Sequence, residues 1–129
     1  MSQIKIYALQ TTIEQFRVQL SHAIHQALVE SLNYPIEKKF QRFISLAKED
    51  FSYPNDRSQH YLIIEISMFE GRTTEAKKRL IQSIFNYIEQ QCGISVQDIE
   101  ITIFETPKCN WGIRGQNADD LQLNYQVNV

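Results

Sequence analysis

The chain has 129 residues, 43% of them hydrophobic, with 13 basic and 15 acidic side chains and a formal charge of −2. That is the size of one ordinary domain, able to bury a core without disulfides or metals, and its charge balance offers no basic excess for nucleic-acid or membrane-surface binding. Cys92 and Cys109 lack metal-ligand spacing, no apolar run is long enough to span a bilayer and no signal-peptide pattern is present, so the sequence reads as a reduced, cytoplasmic protein needing no metal or cofactor.

Gln3 to Leu9 alternates Ile4, Ile6 and Ala8 with Gln3, Lys5 and Tyr7, the pattern of a half-buried strand beginning almost at the amino terminus. Thr11 or Thr12 then caps a helix, with Glu14 placed to close a capping box on Thr11. The apolar stripe of that helix is Ile13, Phe16, Leu20, Ile24, Ala27, Leu28 and Leu32, and Asn33 and Pro35 stop it. Phe40 to Leu46 reads as a second, short strand. Residues 47–59, which include Pro54, Asn55 and Asp56, read as an ordered surface loop with Phe51 and Tyr53 as aromatic anchors.

The same order then repeats. Tyr61 to Phe69 sets Leu62, Ile64, Ile66 and Met68 against Ile63, Glu65 and Ser67, and a helix follows from about Thr74 to Gln91. Its stripe is Ala76, Leu80, Ile81, Ile84, Phe85 and Ile88, with Gly93 placed as a left-handed cap. Ile99, Ile101 and Ile103 alternate with Glu100, Thr102 and Phe104 in the last strand. A strand-helix-strand crossover makes its strands parallel and covers one face. The expectation is a single α+β domain: units at about residues 3–46 and 61–105 forming a four-stranded mixed sheet with two helices on one face.

The other face carries Lys5, Tyr7, Glu65, Ser67, Glu100 and Phe104, a mixture suited to subunit association. Residues 116–129 make a strand-like carboxyl-terminal arm, with Leu121, Leu123, Tyr125, Val127 and Val129 alternating with polar residues. Such an arm can pair with a sheet edge of its own chain or of a neighbour.

Two segments carry candidate chemistry. Arg72 stands just before a helix whose first amides lack intrahelical partners, so side chain and terminus together suit a carboxylate or phosphate; the alternative is an arginine paired with Glu70 or Glu75. In Asn110-Trp111-Gly112-Ile113-Arg114-Gly115 the glycines allow a tight turn beside an aromatic and a second arginine, with Trp111 either a loop anchor or a substrate wall.

These segments resemble the tautomerase superfamily, whose type member is 4-oxalocrotonate tautomerase. Gly71-Arg72-Thr73-Thr74-Glu75-Ala76-Lys77 is similar to that family's Gly-Arg-Ser/Thr-x-Glu-Gln-Lys helix start, and Trp111-Gly112-Ile113-Arg114-Gly115 to its aromatic-Gly-Ile-Gly-Gly segment. The doubled plan resembles the longer, fused members, which assemble as trimers. The resemblance implies a homotrimer acting on a small carboxylate-bearing molecule, such as a 2-oxo or enol acid, without cofactor.

Carried onto this chain, the resemblance makes Arg72 the arginine that binds the substrate carboxylate or polarises its carbonyl, and Trp111 the aromatic wall. His25 is similar to a helix histidine of the decarboxylase and dehalogenase branches, although a lone helix histidine is more often structural or exposed. Lys38, where the decarboxylase branch has an aspartate, is either a solvated charge or part of a basic pocket with Arg72 and Arg114. The family's general base, an amino-terminal proline, is replaced by Ser2. With Met1 removed, Ser2 presents a primary amine with a reference pKa of roughly 7.7 to 8.0. The replacement implies weak keto-enol turnover, or a proline-less homologue that binds a small anion or catalyses another reaction.

Overall fold

The computed structural model describes residues 2–121. Strand β1 (Ser2–Leu9) leads directly into helix α1 (Gln10–Leu32), followed by β2 (Gln41–Leu46). After the connecting loop come β3 (Leu62–Phe69), α2 (Thr74–Cys92) and β4 (Ile99–Thr106), then a hairpin of β5 (Gly112–Ile113) and β6 (Gln116–Asn117). The main sheet has the order β2-β1-β3-β4. Strands β1 and β2 are parallel, as are β3 and β4, and the central pair β1 and β3 is antiparallel. The expected α+β architecture of two strand-helix-strand units is therefore present.

The alternation in each strand decides which side chains meet the helices. Ile4, Ile6 and Ala8 of β1 join Leu62, Ile64, Ile66 and Met68 of β3 in one buried core. Helix α1 contributes Ile13, Leu20, Ile24 and Leu28 to it, and α2 contributes Ala76, Leu80, Ile84 and Ile88. Burying each large aliphatic side chain is worth about 1.5 to 3 kcal/mol, so this one-sided layer outweighs any single turn or cap. On the opposite face Tyr7 Oη donates to Glu65 Oε1 at 2.9 Å, Lys5 Nζ lies 3.8 Å from the same oxygen, and Phe104 is 48% exposed.

The helix ends differ from one another. Thr73 caps α2, its side chain accepting from the Ala76 amide, and Gly93 closes the helix at φ 70°. Helix α1 has Leu9 at its cap position and no side-chain cap, so the expected capping box on Thr11 does not form. The strand runs into the helix with no intervening turn, and the Thr12 hydroxyl donates instead to the Gln59 carbonyl at 2.9 Å. At the far end Asn33 takes the left-handed conformation (φ 52°) and stops α1 as expected.

Three rings pack together in the loop between the units: Phe51, Tyr53 and Tyr61 lie with centroids 5.5 to 5.6 Å apart, Phe51 stacked on Tyr61 and Tyr53 tilted against both. Buried Asp98 accepts from the Ser58 backbone and hydroxyl, tying the loop to the start of β4. Of the expected arm, residues 116–121 comprise β6 and a short 3₁₀ turn at Ala118–Asp120. Its alternating stretch begins at Leu121, and residues 122–129 lie outside the described residues.

Thr73→Ala is expected to lower folding stability by about 1 kcal/mol, as cap removals do. Thr11→Ala is expected to change it by less than about 0.5 kcal/mol, the usual size for an uninvolved surface site. Urea unfolding of the two variants measures the difference directly.

Candidate functional site

The antiparallel register of β1 and β3 pairs Ser2 with Met68, so the first residue of β1 lies at the end of β3 that runs on to Phe69, Glu70, Gly71 and Arg72. Gly71 makes the turn at φ 120°, a conformation open to glycine because it has no Cβ. Helix α1 runs back from the opposite end of β1, so its carboxyl terminus and Tyr34 return to Ser2. One end of the sheet thus gathers the start of β1, the end of α1 and the joint before α2.

Three polar residues meet there. The Ser2 backbone nitrogen donates to Tyr34 Oη at 2.9 Å, and Arg72 Nη1 donates to the Leu32 carbonyl at 2.9 Å. Ser2, Tyr34 and Arg72 are 2%, 3% and 7% exposed, so the group is closed off from bulk water. Burial pushes the Tyr34 phenol above its ordinary value; the hydrogen bonds from Ser2 and the nearby Arg72 charge oppose that rise without cancelling it. Burial likewise lowers the Arg72 guanidinium, with Tyr34 acting against it. The guanidinium remains charged at any physiological pH, and the Leu32 carbonyl at the negative end of α1 is a suitable acceptor for it.

Trp111 packs edge-on to Phe69, with ring centroids 4.9 Å apart and planes at 67°. With Ala118 and Ile113 these rings form a small apolar cluster beside the end of β3. The hairpin that carries it turns at Arg114 and Gly115, both at positive φ (51° and 77°), as a tight two-residue turn requires. Arg114 is exposed at that tip. Lys38 is half-buried and closes a turn through its amide bond to the Pro35 carbonyl.

His25 is held separately. Its Nε2 lies 2.6 Å from the Ile36 carbonyl, and it lines a pocket of about 330 Å³ with His22, Gln26, Val29, Glu30, Ile36 and Lys39. Of the six residues singled out by sequence, Ser2 and Arg72 join one cluster, Trp111 packs on Phe69 in a separate apolar cluster, and Lys38 follows Tyr34 on the same segment. Sequence reasoning did not single out Tyr34. The available signal was a large aromatic placed between the helix stop at Asn33 and Pro35, in a backbone that proline holds extended. No group of three or more His, Cys, Asp or Glu side chains suited to a metal occurs among the described residues, and none of the described helices is long and apolar enough to cross a membrane.

Comparison with known proteins gives a consistent picture. A family model described as "Tautomerase enzyme" matches residues 38–114. The chain is 26% identical over 124 residues to the probable tautomerase YusQ of Bacillus subtilis, covering 92% of this chain and 98% of that protein. A 2-hydroxymuconate tautomerase of Pseudomonas putida is 37% identical over 57 residues, 44% of this chain but 90% of its own length. Half of this chain therefore corresponds to nearly all of a single-unit relative. Among solved structures, the Q0 fused 4-OT wild type symmetric trimer superimposes with a TM-score of 0.78 at 20% identity, over 90% of this chain and 95% of that one. Malonate semialdehyde decarboxylases share the fold as well.

The Tyr34 shift links the cluster to alkaline stability. A raised folded-state pKa contributes stability that is complete below the unfolded value of about 10 and is lost as pH rises through the folded value. Tyr34→Phe should therefore lose less stability than the parent between about pH 9 and 11, as read from urea midpoints at the two pH values.

Proposed function

The chain belongs to the tautomerase family, and on that premise we propose that it is an isomerase-type enzyme acting on a small 2-oxo or enol carboxylic acid. In this reading Arg72 binds the carboxylate, and the Ser2 nitrogen, freed as an amine by loss of Met1, moves a proton between carbon and oxygen. The observation that carries the reading is the buried contact of Ser2 with Tyr34 within reach of the Arg72 charge. Trp111 supplies an apolar wall through Phe69, and Lys38 and Arg114 add positive charge around a bound anion. The name of the P. putida relative supports an unsaturated hydroxy acid as the substrate type.

Cleavage of the Met1–Ser2 bond converts an amide nitrogen, which is not basic, into an amine that is, and removes a side chain from beside it. A secondary amine would be the stronger catalyst here, so keto-enol turnover with Ser2 is slow. A second reading, an anion-binding homologue without tautomerase chemistry, is favoured by the bond Arg72 already makes to Leu32 and by its burial. The assembly that suits either reading is a homotrimer of a cytoplasmic protein. It is supported by the half-apolar outer sheet face with exposed Phe104 and by the trimeric form named for the fused 4-OT neighbour.

Phenylpyruvate tautomerisation, with intact mass recorded on untagged protein, tests the catalytic reading. Weak turnover is expected only where Met1 is absent, Arg72→Ala should reduce kcat/KM by about 10- to 100-fold as for loss of a charged hydrogen bond, and Ser2→Pro should raise turnover. Turnover indifferent to Arg72 contradicts the enzyme reading, and anion binding with no turnover even in Ser2→Pro favours the second. Sedimentation velocity should find a trimer that Phe104→Asp shifts toward monomer.

A further inference from the structure

We propose that Tyr34 is a catalytic residue of this site, donating its phenolic proton to the C2 oxygen of a 2-oxo acid while the Ser2 amine takes the proton from C3. The inference rests on the functional reading above and deepens it. Tyr34 touches Ser2 directly, with 2.9 Å between phenol oxygen and backbone nitrogen. It also follows closely on Leu32, whose carbonyl holds Arg72, and it lies within the field of that guanidinium. The protein therefore presents a nitrogen in contact with a phenol that lies within the field of a cation. A 2-oxo acid presents its carboxylate, C2 oxygen and C3–H bond along three consecutive carbons. With the carboxylate on Arg72, the next oxygen falls to Tyr34 and the acidic C–H bond to Ser2.

The proton inventory closes on these groups alone. The amine lone pair takes the C3 proton, and the C3–H pair becomes the C2=C3 double bond. The carbonyl π pair moves onto oxygen, which takes the Tyr34 proton, leaving an enol, an ammonium and a tyrosinate. The proton then returns from Ser2 nitrogen to Tyr34 oxygen across their hydrogen bond, and the site is restored. The reverse direction uses the same steps in opposite order. Burial keeps the phenol protonated at neutral pH, so it begins the forward step as a donor. The other two groups cannot replace it: a guanidinium does not give up its proton at these pH values, and the Ser2 amine is the base.

The test compares two acids that cannot turn over. Phenylglyoxylate has the carboxylate and C2 oxygen but no C3 proton, and phenylacetate lacks the C2 oxygen. Calorimetric titration of the full chain, with Met1 absent by intact mass, is expected to find phenylglyoxylate bound more tightly than phenylacetate. Tyr34→Phe should weaken phenylglyoxylate by about 3- to 10-fold, the worth of one hydrogen bond, leave phenylacetate unchanged, and lower kcat for phenylpyruvate about 100-fold, the scale of general acid catalysis. Unchanged phenylacetate binding also reports that the variant is folded. Equal weakening of both acids, or of neither, overturns the assignment of Tyr34 while leaving the carboxylate site intact. Failure of both acids to bind the parent chain overturns the carboxylate site and Tyr34's role with it.

Discussion

The antiparallel pairing of β1 with β3 is the constraint on which the site depends. Each strand-helix-strand unit alone has parallel strands, and within one unit the start of the first strand is far along the chain from any strand-to-helix joint at the same end. Placing the two first strands side by side and antiparallel, with Ser2 opposite Met68, sets the amino terminus of one unit beside the joint of the other. A slip of one residue in that register would turn every side chain of β1 to the opposite face. The buried series Ile4, Ile6 and Ala8 against Ile64 and Ile66 opposes any such slip. The apolar core, which includes the Tyr34 ring, thereby fixes the position of the polar group at its end.

That polar group is costly to bury. A cation removed from water is tolerated only with good partners, and Arg72 finds one in the Leu32 carbonyl at the end of α1, where the helix leaves carbonyls without intrahelical donors. The same bond ties the carboxyl terminus of α1 to the joint that starts α2. Arg72 therefore adds one tie between the two units, and a ligand carboxylate would meet a guanidinium already oriented by the fold. Tyr34, set between the left-handed Asn33 and Pro35, has little freedom to leave Ser2.

Much of the fold was legible because its period-2 strands and striped helices answer to one large energy term. Leu62, Ile64, Ile66 and Met68 all point where their alternation places them, and both helix stops fall at Asn33 and Gly93. The start of α1 was misread for a local reason: Thr11 and Glu14 have the capping spacing, but the strand passes into the helix without the turn that would present Thr11 to the first amides. Within the site, Arg72 was legible from its place before a helix, and Ser2 from its place in the chain. Tyr34 was not, because its place beside Ser2, 32 positions away in the chain, arises from the fold, which no local spacing encodes. His25 shows the converse. A helix histidine invites a chemical role, yet its Nε2 is engaged by the Ile36 carbonyl in a pocket of its own.

The proposed proton-transfer site for a 2-oxo acid comprises Ser2, Tyr34 and Arg72. A crystal structure of the Met1-free protein with phenylglyoxylate bound tests it most directly. The expected complex has the ligand carboxylate on Arg72, its C2 oxygen within hydrogen-bonding distance of Tyr34 Oη, and the Ser2 amine facing the carbon beyond. A ligand lodged in the His25 pocket, with Arg72 and Tyr34 still closed on Leu32 and Ser2, would contradict it.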